Sequence, residues 1–266
     1  MDITGKLCYI TGAGGFVGSH LVKALNRKPV ICIPHKEITK TKLKPFDSLY
    51  FLSTYGNMHF HTDDRQILQA NINDLIHLLL EAKSCGFKSF VYISTSSVEL
   101  PIQTFYSRTK RVAEEILLAF IEKYNLPICI VRPFSITGVG EQKEKLISTL
   151  IRSCLTGEPV SFVPEPTHDF IDVKDVVSGI LKLSSIRAKG IFELGNGFSI
   201  SNKEVLNLVE GITDKKANIN IIDNLYPYDN NNWYSKDYKA REYNWTPRKS
   251  LEESIIEMVN EYVKRT

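Results

Sequence analysis

The stretch Thr11-Gly12-Ala13-Gly14-Gly15-Phe16-Val17-Gly18 decides the fold of this 266-residue chain. It follows an apolar segment, Leu7 to Ile10, that is typical of a buried strand, and the apolar periodicity of the next ten residues predicts a helix. The early glycines allow a tight turn and let the backbone approach a pyrophosphate, while the last lets the helix pack closely on the strand. The phosphates would then lie at the helix N-terminus. The sequence therefore predicts dinucleotide binding by Gly12, Gly15, Phe16, Val17 and Gly18.

A second pattern suggests proton transfer. Tyr106 and Lys110 are four residues apart and share one face of a predicted helix, and Thr95 lies eleven residues before Tyr106. Because a nearby cation favours phenolate, we expect Lys110 to lower the pKa of Tyr106 from its usual value of about 10. A tyrosine tuned in this way exchanges a proton with an alcohol oxygen near neutral pH. Tyr-x-x-x-Lys also occurs on ordinary amphipathic helices, so this interpretation depends on the glycine turn.

The glycine turn, the Tyr-Lys pair and the upstream hydroxyl together resemble the short-chain dehydrogenase/reductase superfamily. The resemblance is closest to its extended branch of sugar-nucleotide epimerases, dehydratases and reductases, and it covers nearly the whole chain. Phe51-Leu52-Ser53-Thr54 stands where that family has His-Leu-Ala-Ala. The other matching segments are Asn71, Val91 to Val98, Tyr106 to Lys110 with Glu114, Val131-Arg132-Pro133 with Gly138, His168 to Asp175, Phe192 to Gly197 with Ser201 and Glu204, and Asn244 to Pro247 with Leu251 to Glu253.

The resemblance implies an α/β fold, a Rossmann-like doubly wound parallel sheet with a smaller mixed α/β substrate lobe toward the C-terminus. We assign residues 1–134 with 168–190 to the dinucleotide-binding core, and 135–167 with 191–266 to the lobe. The segment 36–45 is short and polar, whereas the family has a further helix and strand at this place. We therefore expect a trimmed or absent third strand. Expected strands lie near 7–11, 29–34, 47–52, 89–94, 128–132, 160–163, 170–173, 191–194 and 218–222. Expected helices lie near 16–27, 65–85, 106–124, 142–156, 175–186, 202–211 and 250–264.

The resemblance also implies roles for single residues. Tyr106 would move the proton, Lys110 would also hold the nicotinamide ribose, and Thr95 would donate a hydrogen bond to the developing alkoxide. Ser94 or Ser96 could take the role of Thr95. Leu52 and Pro133 would contact the cofactor. Candidate substrate contacts are Ser96, Ser135 and His168, the last two of which replace an Asn and an Arg of the family. The sequence near Pro227 has no counterpart of a late diphosphate-binding Arg, so Lys143, Lys145, Arg152 or Lys236 would have to supply the cation.

Cofactor choice depends on the end of the second strand. NAD-selective members have an acid there that binds the ribose 2′-hydroxyl. Here Val30 to Ile33 continues into Pro34-His35-Lys36 without a carboxylate. His35 and Lys36 could pair with a 2′-phosphate, or they could be solvent-facing loop residues. We therefore expect NADP, with NAD as the alternative.

Departures from the family narrow the expected reaction. Related dehydratases place an Asp-Glu pair directly after the catalytic Thr, and epimerase-reductases acting at C3 and C5 have a Cys where Ser97 stands. This chain has Ser96-Ser97, which disfavours both reactions. Redox at a single carbon remains, so we expect a reductase of a nucleotide-linked 4-keto-(6-deoxy)sugar. An NAD-dependent 4-epimerase is the alternative, and a non-catalytic NADP-binding sensor or scaffold is a third interpretation.

Global properties limit the function classes further. A net charge of +3 is too small and too dispersed to indicate a nucleic-acid partner. No apolar run approaches the roughly 18 residues of a membrane span and no signal peptide is evident, so we expect a cytoplasmic protein. No spacing of Cys and His suggests a metal, and we expect Cys8, Cys32 and Cys129 to be buried free thiols. We expect a loop at Asn230 to Asn232, and a homodimer formed through the helices near 65–85 and 106–124.

Overall fold

The computed structural model describes residues 7–26, 28–58, 60–223 and 233–265. The strands are β1 (Cys8–Thr11), β2 (Val30–Ile33), β3 (Phe46–Phe51), β4 (Phe87–Ile93), β5 (Ile128–Pro133), β6 (Ser135–Thr137), β7 (Pro159–Phe162), β8 (Thr167–His168), β9 (Phe170–Asp172), β10 (Gly190–Leu194), β11 (Ile200–Ser201) and β12 (Asn218–Ile221). The α-helices are α1 (Phe16–Ala24), α2 (Asp64–Leu68), α3 (Asp74–Cys85), α4 (Phe105–Tyr124), α5 (Leu146–Thr156), α6 (Val173–Ser185), α7 (Asn202–Thr213), α8 (Lys239–Glu242) and α9 (Leu251–Arg265).

Six strands form a parallel sheet in the order β10-β5-β4-β3-β1-β2. The chain leaves β1 for β2 on one side and then crosses to β3 on the other, so the strand order reverses at β1. In open parallel sheets, ligands bind beyond the carboxyl ends of the strands at such a reversal. The predicted α/β fold class is confirmed.

The sheet ends at β2, as expected from the short polar stretch after it. The 3₁₀ helix His35–Lys40 follows β2, and the chain then returns directly to β3. With no neighbour on its outer side in the described chain, β2 leaves Ile31 and Cys32 exposed. The prediction of a buried thiol was therefore wrong for Cys32, whereas Cys8 and Cys129 are buried.

Apolar clusters cover both faces of the sheet, because the side chains of each strand alternate between the faces. On one face, Cys8 and Ile10 of β1 belong to a cluster with residues of α1 and α6, including Leu21 and Ile180. On the other face, Tyr9 belongs to a cluster with α3 and α4 residues, including Leu78 and Leu117. Burial on both faces fixes the register of the strands and therefore the positions of their carboxyl ends.

The later part of the chain forms small sheets and a third apolar cluster. Two-stranded pairs join β6 with β9, β7 with β12, and β8 with β11. The cluster includes Ile147 of α5, Val205 of α7 and Ile255 of α9. The strand expected near 191–194 was assigned to the substrate lobe, but β10 pairs with β5 in the main sheet. The boundary at residue 190 was therefore drawn too early, and the rest of the division stays a prediction.

The helix expected near 65–85 is interrupted. A π-helical turn, Gln69–Asn73, separates α2 from α3 and contains the fully buried Asn71. The short elements β6, β8, β11 and α8 were not anticipated, because two to four residues have too little periodicity to be detected. The loop expected at Asn230 to Asn232 and the stretch after Pro227 lie outside the described residues. Within the described part, no helix is both long and apolar enough to cross a membrane.

Candidate active site

The glycine turn connects β1 to α1 in a conformation that requires glycine. Gly12 has a φ of +68°, and a Cβ there would lie 2.9 Å from the backbone of Leu52 and Ser53. A Cβ on Gly18 would collide with the carbonyl oxygen of Gly12, so the first turn of α1 packs directly on the loop. No side chain caps the N-terminus of α1 at Gly15, which leaves the positive end of the helix open to an anion.

Helix α4 places Tyr106 in its first turn and Lys110 one turn later. The helix begins after Thr104, whose hydroxyl accepts a hydrogen bond from the Ser107 N–H at 3.1 Å. Arg132 of β5 holds the helix against the sheet: its Nε and Nη2 donate to the two carboxylate oxygens of the buried Glu114 at 2.9 and 2.6 Å. Its Nη1 donates to Glu99 at 2.6 Å, which also fixes the turn after Thr95. This bidentate pair therefore aligns the two segments that contain the predicted catalytic residues.

Lys110 is fully buried beside the sheet. Its Nζ donates to the Ile93 carbonyl at 2.5 Å and lies 4.2 Å from the centre of the Tyr92 ring. Burial lowers the pKa of Lys110 to about 7, although the charge of Glu114 acts in the opposite direction. The ammonium is therefore easily deprotonated near neutral pH.

Tyr106 and Thr54 both line the cavity. Burial raises the pKa of Tyr106 to about 12, and the Thr54 hydroxyl acts in the opposite direction. The expectation that Lys110 lowers this pKa is wrong for this arrangement, because the desolvation of Tyr106 dominates and Lys110 donates to Ile93. Thr54 was not predicted as a site residue, although it replaces an alanine of the family motif.

Thr95 lies at the carboxyl end of β4 and begins a 3₁₀ turn. Its hydroxyl accepts from the Ser97 N–H at 3.2 Å and lies 2.9 Å from the Ser97 hydroxyl oxygen. Ser94, the open alternative, has a buried hydroxyl oxygen with no hydrogen-bond partner among the described residues. Ser96 lies in the same wall of the site. The Thr95 hydroxyl thus has a local partner in Ser97, whereas the Ser94 hydroxyl oxygen is buried.

A single cavity of about 1130 Å³ connects the glycine turn with Tyr106 and the later sheets. It exceeds the roughly 300–1,000 Å³ of common small-ligand sites, so it has room for two ligands side by side. Of the predicted site residues, the lining includes Gly12, Gly15, Phe16, Val17, Gly18, His35, Leu52, Thr95, Ser96, Tyr106, Pro133, Ser135 and His168. Lys110 is buried behind this wall, and Lys36 is exposed outside it. The structure thus brings the predicted site residues together in one cavity wall, with the exceptions of Lys110 and Lys36.

At the end of β2, His35 lines the cavity and contacts a buried acid that the sequence did not indicate. Nδ1 of His35 lies 3.1 Å from Oδ2 of Asp74, the first residue of α3. Burial raises the pKa of Asp74, while Gln69, His35 and His77 act to lower it. The prediction that no carboxylate stands directly after β2 holds, but a carboxylate from another element faces the same histidine.

At the far end of the cavity, burial keeps His168 uncharged. The wall also contains an acid there that the sequence did not indicate. Burial lowers the pKa of His168 to about 4, and its Nδ1 has no hydrogen-bond partner among the described residues. Glu141 lines the cavity too, hydrogen-bonded by Ser148 at 3.1 Å, and burial raises its pKa to about 7. Of the four cations considered for a diphosphate, Lys145 lines the cavity, next to both groups.

The described residues fit a dinucleotide. The glycine turn leaves no room for a Cβ at Gly12 or Gly18, because neighbouring backbone atoms are too close. The uncapped N-terminus of α1 can receive a pyrophosphate through its N–H groups. His35 and Leu52 line the cavity on the side of this turn that faces β2 and β3, whereas Pro133 and Tyr106 line it beyond β5 and β4. These residues would hold the two ends of the cofactor.

Comparisons with known proteins agree with this geometry. Residues 8–195 match the NAD dependent epimerase/dehydratase family. The chain is 25% identical to the uncharacterized UDP-glucose epimerase YtcB of Bacillus subtilis, over 92% of this chain and 94% of that protein. A solved structure of MoeE5 in complex with UDP-glucose and NAD superposes with a TM-score of 0.86 at 24% identity, covering 97% of this chain and 98% of that one. UDP-N-acetylglucosamine 4-epimerase from Methanobrevibacter ruminantium M1, in complex with UDP-N-acetylmuramic acid, superposes with a TM-score of 0.89 at 20% identity, covering 99% and 100%. The chain therefore belongs to the NAD-dependent epimerase/dehydratase family, within the extended short-chain dehydrogenase/reductases.

Proposed function

We propose that this enzyme is an NADP-dependent reductase that converts a 4-keto group of a nucleotide-linked 6-deoxy sugar to an alcohol. The observation that supports this proposal best is the composition of the wall around Tyr106. Thr95 and Tyr106 line the cavity together, and the residues that follow Thr95 are Ser96 and Ser97. Neither serine can act as a carboxylic acid or a thiol, so elimination or epimerisation next to the carbonyl lacks its acid-base group at this place.

The proposed chemistry uses few protein groups. A bound nicotinamide dinucleotide supplies the hydride. Tyr106 donates its phenolic proton to the carbonyl oxygen, and Thr95 donates a hydrogen bond to the same oxygen as negative charge develops there. Lys110 donates to the Ile93 carbonyl, which fixes its titratable ammonium group one helical turn after Tyr106. The low-dielectric wall around Tyr106 strengthens these interactions.

A nucleotide-sugar substrate is supported by the size of the cavity and by Lys145. Lys143 and Arg152 are engaged at the surface, with Glu144 at 4.0 Å and Glu158 at 2.6 Å, and neither belongs to the cavity wall. Lys145 is therefore the proposed partner of the diphosphate. His168 is neutral, so it would contribute a hydrogen bond rather than a charge. Family relatives, including the solved MoeE5 complex, bind UDP-sugars.

An NAD-dependent nucleotide-sugar 4-epimerase is the second candidate. The relative YtcB is described as an epimerase, and the MoeE5 structure contains NAD. An epimerase would oxidise C4, turn the sugar and reduce it again without exchanging its cofactor. A non-catalytic sensor is less consistent with the chain, because Thr95, Tyr106 and Lys110 are all retained.

The test is absorbance at 340 nm with purified protein, NADPH or NADH, and a panel of nucleotide-linked 4-keto-6-deoxy sugars. The reductase proposal expects steady loss of NADPH with one of these substrates. Tyr106→Phe should reduce kcat by about 10²- to 10⁴-fold while leaving NADPH binding intact, since general acid catalysis supplies factors of that order. If no keto sugar is reduced and chromatography shows interconversion of C4 epimers of a UDP-sugar, the epimerase is correct instead.

A further inference from the structure

Two acids line the cavity in the described part of the chain, and the proposed reduction uses neither of them. Asp64 is exposed, whereas Glu141 is partly buried at the end of the cavity that also contains Lys145 and His168. A carboxylate at this end is unexpected, because a nucleotide-linked sugar brings a negatively charged diphosphate and like charges repel. The position of Glu141 therefore bears on which sugar the cavity accepts.

The loop that contains Glu141 is held between α1 and α5. Nε2 of His20 on α1 lies 2.8 Å from the Val139 carbonyl oxygen, and the Glu141 N–H donates to the Gly138 carbonyl at 3.0 Å. Helix α5 follows this loop in the chain. The backbone next to Glu141 is therefore fixed against the helix that would receive the pyrophosphate of the cofactor.

The two oxygens of the Glu141 carboxylate have different surroundings. The Ser148 hydroxyl on α5 donates to Oε2 at 3.1 Å, and the hydroxyl of the fully buried Thr137 lies 3.4 Å from the same oxygen. Both contacts are to Oε2, which leaves Oε1 as the oxygen available to a ligand in the cavity. Burial raises the pKa of Glu141 to about 7, so the group is mostly ionised at pH 8. In that form it accepts hydrogen bonds and donates none.

The charges around Glu141 leave no partner for a further anion. Lys145 is the only lysine or arginine in the part of the cavity wall that the structure describes, and its charge acts to lower the pKa of Glu141. His168 stays neutral, because burial lowers its pKa to about 4. One cation is thus shared between Glu141 and the proposed diphosphate, so a carboxylate on the sugar would meet uncompensated negative charge.

We propose that Glu141 determines the sugar specificity of the site. Its Oε1 accepts a hydrogen bond from a sugar hydroxyl, and the charge of the carboxylate excludes sugars that carry a carboxylate of their own. The ligand class is therefore a nucleotide-linked neutral sugar, which includes the 6-deoxy sugars of the proposed reaction, and not a nucleotide-linked uronic acid. This inference rests on the proposed function for the presence of a nucleotide-linked sugar, but not for the redox step.

Isothermal titration calorimetry of the full chain at pH 8 tests this inference with UDP-glucose and UDP-glucuronic acid, which differ in a hydroxymethyl group against a carboxylate. The wild type should bind UDP-glucuronic acid with a Kd about tenfold higher than that for UDP-glucose, because two like charges meet in a partly buried site. Glu141→Gln keeps the size of the side chain and an acceptor oxygen but removes the charge. In this variant the Kd for UDP-glucuronic acid should approach that for UDP-glucose.

Two further variants separate the charge of Glu141 from its hydrogen bond. Glu141→Ala also removes the acceptor, so it should raise the Kd for UDP-glucose about fivefold, the equivalent of one ordinary hydrogen bond. Glu144→Gln removes the same charge from the surface outside the cavity wall and should leave both Kd values unchanged. Circular dichroism confirms that each variant is folded.

The outcomes distinguish this inference from the proposed function. Equal affinities of the wild type for the two sugars, or a difference that persists in Glu141→Gln, would overturn the role of Glu141, as would a failure of both sugars to bind. A chain that shows the expected selectivity but reduces no keto sugar would refute the reductase alone. A chain that reduces a keto sugar without this selectivity would refute the inference about Glu141 alone.

Discussion

At the scale of single residues, burial controls the chemistry of the site more than neighbouring charges do. The pKa of Tyr106 is raised to about 12 and that of Lys110 is lowered to about 7, and desolvation is the largest cause of both shifts. Both groups are therefore stabilised in their neutral forms. A neutral phenol is the form that donates a proton, which suits reduction.

Glu141 yields a prediction about pH. Burial raises its pKa from 4.5 to about 7, so the folded state holds a proton that the unfolded chain releases at lower pH. Its contribution to stability is fully present below about pH 4.5 and is lost as the pH rises through 7. Glu141→Gln cannot ionise, so at pH 8 it should exceed the wild type in free energy of unfolding by about 1–2 kcal/mol, allowing for partial solvation.

Urea denaturation at pH 5, 6, 7 and 8 measures this difference. Glu144→Gln is the matched control, because it removes a nearby carboxylate that lies on the exposed surface. Equal pH trends for the two variants would show that Glu141 is solvated in the folded protein.

The sequence revealed the residues of the site whose role depends on local spacing. Gly12, Gly18, Tyr106 and Lys110 are recognisable because a turn and a helix fix their positions within one element. Thr54 and Glu141 were missed, since their importance arises from contacts between elements distant in sequence. The partner of Thr54 is Asn71, seventeen residues later and in a π-helical turn that periodicity does not reveal.

At the scale of elements, the junction of β1 and α1 is the most constrained part of the fold. A Cβ on Gly18 would meet the Gly12 carbonyl, which belongs to rigid backbone. Gly18→Ala must therefore displace α1 from the loop, and overpacking of this kind costs about 1–3 kcal/mol. Because the displaced loop would bind the pyrophosphate, the affinity for the dinucleotide should fall together with the stability.

Gly14→Ala is the control for this prediction. A Cβ on Gly14 has no heavy atom within 4 Å, and the φ of Gly14 is not positive. This variant should retain the melting temperature and the Kd for the dinucleotide, measured by differential scanning calorimetry and isothermal titration calorimetry. Equal losses in the two variants would contradict the packing argument.

The edge of the sheet was also predictable at this scale, with one consequence that was not. The short polar stretch after β2 indicated that the strand which the family has at this place is trimmed or absent, and β2 is the edge of the sheet. The exposure of Cys32 follows from that edge, but the apolar run Val30 to Ile33 looks like any interior strand. The composition of a segment shows that it forms a strand, whereas the burial of that strand depends on which strands and helices pack against it.

At the scale of the whole molecule, cofactor choice combines β2 with α3. Nδ1 of His35 lies 3.1 Å from the Asp74 carboxylate, and His35 lines the cavity at the end of β2. The carboxylate holds the imidazole where the ribose 2′ position of a dinucleotide would lie, and a ring nitrogen can donate a hydrogen bond to a 2′-phosphate. His35→Ala should therefore weaken the binding of NADP more than the binding of NAD.

Isothermal titration calorimetry with NADP and NAD at a single pH measures this difference. His35→Ala should raise the Kd for NADP about tenfold, since a hydrogen bond to a charged group contributes about 1.5–3 kcal/mol and solvent recovers part of it. Lys36→Ala should leave both affinities unchanged, because Lys36 lies outside the cavity wall. If Lys36→Ala weakens NADP binding more than His35→Ala does, the 2′-phosphate lies on the exposed side of the 3₁₀ helix and the role assigned to the His35–Asp74 pair is wrong.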